Sequence, residues 1–268
     1  MSNLIDEKLE AAVHTSLEDG VKSLKLKNAY EYLNQISFTV DANPNKTIEL
    51  VSNDSICLVG NSTMTNLLLT KIAVHCLMPK KHGGLRSSKV FILDAGNCTD
   101  VYQFVDFMKQ YGLNVKKNLQ KIMISRVFTV YQLTHFLKYE LPKIVYDYRI
   151  NILIIPDLLA MFLQEAEMDY KEIKFLLTEI INVLRKITQE GKMLLMTSLS
   201  LEIGLPPYVM ELGNNIIGCF DKYIAIDKNK TNNKFKIVIQ QKQDSDYVAI
   251  KKYTSLTSED MLTVKARC

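Results

Sequence analysis

CLVGNSTMTNLLL, residues 57–69, runs from an apolar segment into one glycine, through small polar residues, and on into a second apolar segment. A strand that turns directly into a helix reads this way. A phosphate-binding loop occupies the same kind of junction. Such a loop needs G-x-x-x-x-G-K-[ST], in which glycines let the backbone wrap the phosphates and a lysine neutralises them. Here the lysine and the second glycine are missing, and no lysine lies between Cys57 and Thr70.

Working outward, strand-like and helix-like segments alternate. IELVSNDSICLVG offers two short strands about a turn at Asn53-Asp54, and Thr65 to Met78 reads as a buried helix ending before Pro79. KVFILD (Lys89 to Asp94) is a strand. Asp100 can cap a helix with Val101, Phe104, Val105 and Met108 on one face, and Gly112 ends it. KIMISRVF is a further strand. Tyr131 to Tyr146 is a helix that Pro142 should kink or end. INILII is uncharged and suits the centre of a parallel sheet. Ile173, Leu176, Leu177, Ile180, Ile181, Leu184 and Ile187 form one helical stripe, stopped by Gly191, and KMLLMT is the next strand. Beyond about Ile216 the period becomes two: YIAID, FKIVI and YVAIKKY alternate between polar turns. The order implies a largely parallel, twisted α/β sheet flanked by helices, with an antiparallel meander appended. Residues 1–47 read as a partly helical lead-in, with short helices at Leu4–Val13 and around Ala29–Leu33 and a turn at Asp41–Lys46. Residues 48–268 form the main domain.

Composition narrows the function classes. The chain has 268 residues, 47% hydrophobic and 23% charged, ordinary for a globular protein. Its 33 Lys and Arg against 29 Asp and Glu give a net charge of +4, which permits a nucleic-acid partner without demanding one. Cys57, Cys76, Cys98, Cys219 and Cys268 form no C-x-x-C pair, and His75, Cys76 and His82 match no zinc spacing, so buried reduced thiols and no metal or cofactor are expected. The N-terminus is charged without a signal-like apolar core, and no apolar run reaches 18 residues, so no membrane partner is expected. A cytoplasmic location follows, or a nuclear one in a eukaryote.

Six segments in order resemble the core of the RecA superfamily, most closely the archaeal RadA recombinases and their eukaryotic paralogues. They are TKIAVHCLMPKKHGG, KVFILDAGN, ISRVFTVYQLTHFL, INILIIPDLLAMF, FLLTEIINVLRKITQEGKMLLMTSL and LGNNIIGCFDKYIAID, and with their gaps they cover roughly Ser55 to Gln240. The resemblance implies a RecA-like ATPase core and a role in homologous recombination and DNA repair. It also implies where the chemistry should be. The family's phosphate-loop lysine falls on Met64 or Thr65 and its second glycine on Thr63 or Met64. Gly60 is out of register, and Thr65 keeps a hydroxyl for Mg²⁺ in one alignment. The catalytic glutamate falls on Ala95, the metal-binding aspartate on Pro156 with Asp157 one place late, and the polar sensor on Ser198. Each replacement removes a group that stabilises charge at a phosphoryl centre. The expectation is a pseudo-ATPase, neither hydrolysing ATP nor binding it in the usual mode.

The resemblance also locates the family's two DNA-binding loops. They correspond to Leu163–Asp169 and Ser198–Leu212, which carry acidic residues and no Lys or Arg. Without cations they lose the counterion-release term that drives DNA affinity. Basic residues lie elsewhere: Lys80, Lys81 and Arg86 in one loop, and Lys228, Lys230 and Lys234 in a hairpin turn. These are the candidate nucleic-acid contacts. Tyr208, after Pro206-Pro207, is the candidate protein-contact residue. The family's subunit-linking motif is Phe-x-x-Ala. FTVDA at Phe38–Ala42 is one residue too long for it. A recombinase or another paralogue is the expected partner, with direct DNA binding through the basic turns, or an NTP site rearranged around Gly60, Thr65 and Asp157, as alternatives.

Overall fold

The computed structural model describes residues 34–39, 47–85, 88–164, 168–191, 193–201, 205–229, 232, 234–243 and 246–262. The chain divides into two units, Met1–Tyr32 and Leu33–Cys268. The first lies outside the described residues, as do the expected short helices at Leu4–Val13 and around Ala29–Leu33 and, in the second unit, the expected turn at Asp41–Lys46.

In the second unit, β1 (Gln35–Thr39) pairs antiparallel with β2 (Thr47–Val51). The hairpin spans the boundary drawn at 47/48, and Ile36, Phe38, Ile48 and Leu50 are all buried in the core, so β1 packs with the main domain. β3 (Ser55–Gly60), β4 (Val90–Asp94), β5 (Ile122–Arg126), β6 (Ile152–Ile155), β7 (Leu194–Leu199) and β8 (Lys222–Lys228) are mutually parallel. β9 (Phe235–Gln243) and β10 (Asp246–Leu256) extend the sheet antiparallel, giving the order β10-β9-β8-β3-β7-β6-β4-β5. This is the expected parallel sheet with its meander. β4, β6 and β7 are buried throughout because both faces are covered: Ile152, Leu153, Ile154 and Ile155 of β6 are each at most 1% exposed.

On one face, α1 (Ser62–Cys76), α2 (Val101–Gln110), α3 (Val115–Leu119) and the β1–β2 hairpin enclose Ile72, Val74, Ile92, Phe104 and Ile237. α2 is capped by Asp100, whose carboxylate accepts from Tyr102 N–H, and it stops at Gly112, φ 67°. Gly83 and Gly84 let the turn after α1 press against its neighbours. A Cβ on Gly84 would stand 2.1 Å from the Met78 carbonyl oxygen, and one on Gly83 2.4 Å from that of Ser37.

On the other face, one long helix runs from α4 (Val130–His135) through a π turn (Phe136–Glu140) into α5 (Leu141–Tyr148). The proline that was expected to kink or end it is absorbed by the wider turn just before Pro142, where an i−4 bond would fail. It packs with α6 (Ala160–Gln164), α7 (Tyr170–Gly191) and α8 (Pro207–Ile217). The turn after α8 is held from three directions. Cys219 C=O accepts from Arg185 Nε at 2.7 Å, Gly218 C=O from Lys242 Nζ at 2.7 Å, and Ile217 C=O from Tyr247 Oη at 2.6 Å. α9 (Ser258–Leu262) closes the described chain, and its Met261 C=O accepts from the buried Lys71 Nζ at 2.9 Å. No helix among the described residues is long and apolar enough to cross a membrane.

Candidate functional site

Ligands of open α/β sheets bind beyond the carboxyl ends of the strands, where the strand order reverses. Here β3 sits between β8 and β7, and its helix leads away to β4. The rim beyond β3, β4, β6 and β7 is therefore the candidate site. Gly60, Ala95, Pro156, Asp157 and Ser198 lie along it, at or just beyond the ends of these strands.

The β3–α1 junction is shorter than expected. β3 ends at Gly60 and α1 begins at Ser62, so one residue, Asn61, connects them. Asn61 caps the helix. Its Oδ1 accepts from Thr63 N–H at 3.1 Å, and its carbonyl accepts from Met64 N–H at 3.1 Å and Thr65 N–H at 3.0 Å. Free amides at a helix N-terminus are what hold a phosphate, and these three have intramolecular acceptors. Gly60 serves packing: a Cβ there would come within 2.4 Å of the Ile226 carbonyl oxygen on β8. Thr63 and Met64 lie on the first turn of α1, with Thr63 exposed. Thr65, which keeps a hydroxyl for Mg²⁺ in one alignment, is fully buried, and its hydroxyl donates to Ser62 C=O at 3.0 Å.

The remaining rim positions are tied together. Ser198 Oγ donates to Asn66 Oδ1 at 3.2 Å and accepts from Asp157 N–H at 2.9 Å. Asp157, at φ 47°, in turn accepts from Ser200 Oγ at 2.9 Å. Burial pushes the Asp157 carboxyl above its ordinary value, partly offset by the Ser200 hydrogen bond. Ala95 and Pro156 are buried and offer no side-chain donor or acceptor. The cavity between Asn66, Thr70, Cys98, Thr99, Phe104 and Pro156 is only about 10 Å³, space for about one water.

Sequence reading passed over Asp94. It is fully buried at the end of β4, accepts from Cys98 N–H at 3.0 Å and Thr99 N–H at 3.3 Å, and pairs with Arg126 on β5 at 3.3 Å. The available signal was an aspartate closing an apolar strand one place before Ala95. Its donors come from its own loop and from β5. The Cys98 thiol next to it is pushed up to about 12, first by burial and then by Asp94 and Asp157. A thiol this hard to ionise is a poor nucleophile. Cys57 and Cys76 are buried and likewise raised. Among the described residues no three His, Cys, Asp or Glu converge as a metal site.

The loop assignments shift as well. Leu163 and Gln164 end α6, and residues 165–167 lie outside the described residues. Ser198 and Leu199 belong to β7, and α8 starts at Pro207, so Tyr208 and Glu211 are helical rather than part of a loop. Proline at the first helical position is a start signal that the Pro-Pro pair obscured. Tyr208 is 46% exposed and meets Tyr170 edge-on, centroids 6.2 Å apart. Lys80, expected as a nucleic-acid contact, donates to the Gln35 carbonyl, and its partial burial lowers its pKa. Lys81, Lys228 and Lys234 are exposed. Lys228 lies over the Phe235 ring at 5.9 Å. Arg86 and Lys230 lie outside the described residues.

No curated protein matches the chain. A family model described as Rad51 matches residues 57–199, from the third residue of β3 to the last of β7. The matched segment is more than half of the chain and spans every rim strand described above, so the chain belongs to the Rad51 family of RecA-type recombinases.

Proposed function

We propose that this chain is a non-catalytic member of its family, acting in recombination and repair by binding an active recombinase or another paralogue. The observation that carries the reading is the one-residue β3–α1 junction, whose cap residue Asn61 takes up the amides of Thr63, Met64 and Thr65. Further support comes from Ala95, Pro156 and Ser198 at the ends of β4, β6 and β7. None of them supplies a carboxylate, and Ser198 is engaged with Asn66 and Asp157.

The test is thermal unfolding with and without millimolar Mg-ATP, together with a phosphate-release assay. A ligand of the native state must raise its stability, by about 2.7 kcal/mol at a hundred times its Kd. The expected result is no shift and no release. A clear stabilisation returns the chain to the NTP-binding class, and turnover at a recombinase-like rate ends the accessory reading. Affinity purification from the native cell, with and without nuclease, then separates a protein partner from a DNA tether.

A second reading, direct nucleic-acid binding, is favoured by the exposed Lys228 and Lys234 at the β8–β9 turn. It expects steep salt dependence and loss of binding when Lys228, Lys230 and Lys234 are all changed to Ala.

A further inference from the structure

The outer face of the α4–α7 helix pair concentrates large rings in water. Phe128 is 74% exposed, Phe175 62%, Tyr131 60% and Tyr139 58%. Two cross-links hold the helices in register: Tyr131 Oη donates to Glu172 Oε1 at 3.2 Å, and Lys138 Nζ meets Glu179 Oε2 at 2.6 Å. Phe175 is one turn beyond Glu172 and one turn before Glu179, so it lies between the links. Phe128 stands three residues before Tyr131, and Tyr139 is in contact with the His135 ring, centroids 5.0 Å apart. A solvated helix pair has no need of four such rings, and clustered exposed aromatics mark contact surfaces.

Charge narrows the occupant. Lys138, the cation between the helices, is already paired with Glu179. Glu172 is hydrogen-bonded to a neutral phenol, and no cation pairs with it among the described residues. An unneutralised carboxylate framed by aromatic rings suits a planar cation, which can pair with the carboxylate and stack on a ring at once. Nucleic acid is disfavoured, because its phosphates would approach the carboxylate of Glu172, which no cation pairs with among the described residues. A second copy in isologous contact is disfavoured because it would set Glu172 near its own equivalent.

We propose that this face is a docking surface for a protein partner that presents arginine, with Phe175 and Tyr131 as stacking anchors and Glu172 as the paired anion. The proposal rests on the accessory reading and gives that partner its chemistry.

The test uses the full chain and three labelled helical peptides of Ala and Leu, carrying Arg, Lys or Glu at every fourth position, followed by fluorescence anisotropy. The Arg peptide is expected to bind, the Lys peptide at least five-fold more weakly, and the Glu peptide not measurably. Phe175→Ser should weaken Arg-peptide binding at least ten-fold and Glu172→Gln at least five-fold, with melting temperatures unchanged because both side chains are exposed. A parallel Asp106→Asn change on α2 should leave binding intact. Equal affinity for Arg and Lys peptides, or wild-type affinity in Phe175→Ser, overturns the proposal. So does a single-stranded oligonucleotide whose binding is lost in Phe175→Ser, which makes the face a base-stacking platform. A dimer abolished by the same change overturns it in favour of self-association. If Phe175→Ser still captures a recombinase, the surface assignment falls while the accessory reading stands.

Discussion

The interior of the sheet and its C-terminal rim belong to the same strands and follow different rules. Inside, β6 and its neighbours are sealed by apolar side chains on both faces, and their order and register leave little latitude. At the rim, one or two residues further along each strand, polar groups satisfy one another across strands: Asn66 with Ser198, Ser198 with Asp157, Asp157 with Ser200, Asp94 with Arg126. The fold depends on the interior, whereas phosphoryl-transfer chemistry depends on rim residues. A rim can change its residues without loss of the fold, provided each buried polar group finds a new partner.

Three substitutions test this contrast, from the largest expected effect to the smallest. Ile154→Ala in the middle of β6 should cost about 2–5 kcal/mol in denaturant unfolding, the range for truncating a fully buried aliphatic side chain. A cost below about 1 kcal/mol would mean the interior is less tightly specified than its burial indicates. Gly60→Ala tests the boundary between the regions. Its Cβ would collide with the Ile226 carbonyl, so a loss of about 1–3 kcal/mol is expected, with no change in affinity for Mg-ATP. If nucleotide binding existed and Gly60→Ala abolished it, the glycine would be a phosphate residue after all.

Asp157→Asn should have the smallest effect, and it should depend on pH. Burial raises the folded-state pKa of Asp157 above its ordinary 3.8. An acid of this kind destabilises the fold when ionised, so its cost is absent below the unfolded value. The cost grows as pH rises through the folded value and stays constant above it. Asparagine tolerates the positive φ and removes the charge. The variant should therefore melt higher than wild type at pH 7, with the two converging as pH falls toward 4. A variant that melts lower at pH 7 would indicate that the Ser200 contact needs the carboxylate.

Sequence exposed the interior well and the rim poorly, for a physical reason. Apolar runs such as INILII announce themselves, because burying both faces demands uncharged side chains. IELV reads as a strand, but its partner β1 does not, because QISFT alternates too briefly to be read without the strand it pairs with. The early start of α1 was legible in principle, since Asn61 followed by Ser-Thr is a cap signal. The engagement of Lys80 with Gln35, and of Asp94 with Arg126, depends on contacts far apart in sequence. No local pattern encodes them.

The turn after α8 bears on the order in which the protein is made. Its carbonyl groups are taken up by Arg185 from upstream and by Lys242 and Tyr247 from downstream, the latter separated by 24 and 30 residues from their acceptors. During synthesis, α7 and α8 leave the ribosome before the two residues that complete their joint. Until the meander has emerged and folded back, the end of α8 has only Arg185 to hold it. The last two strands thus act as a latch, and a nascent chain halted before Tyr247 should present the helix layer with its C-terminal turn still open to water.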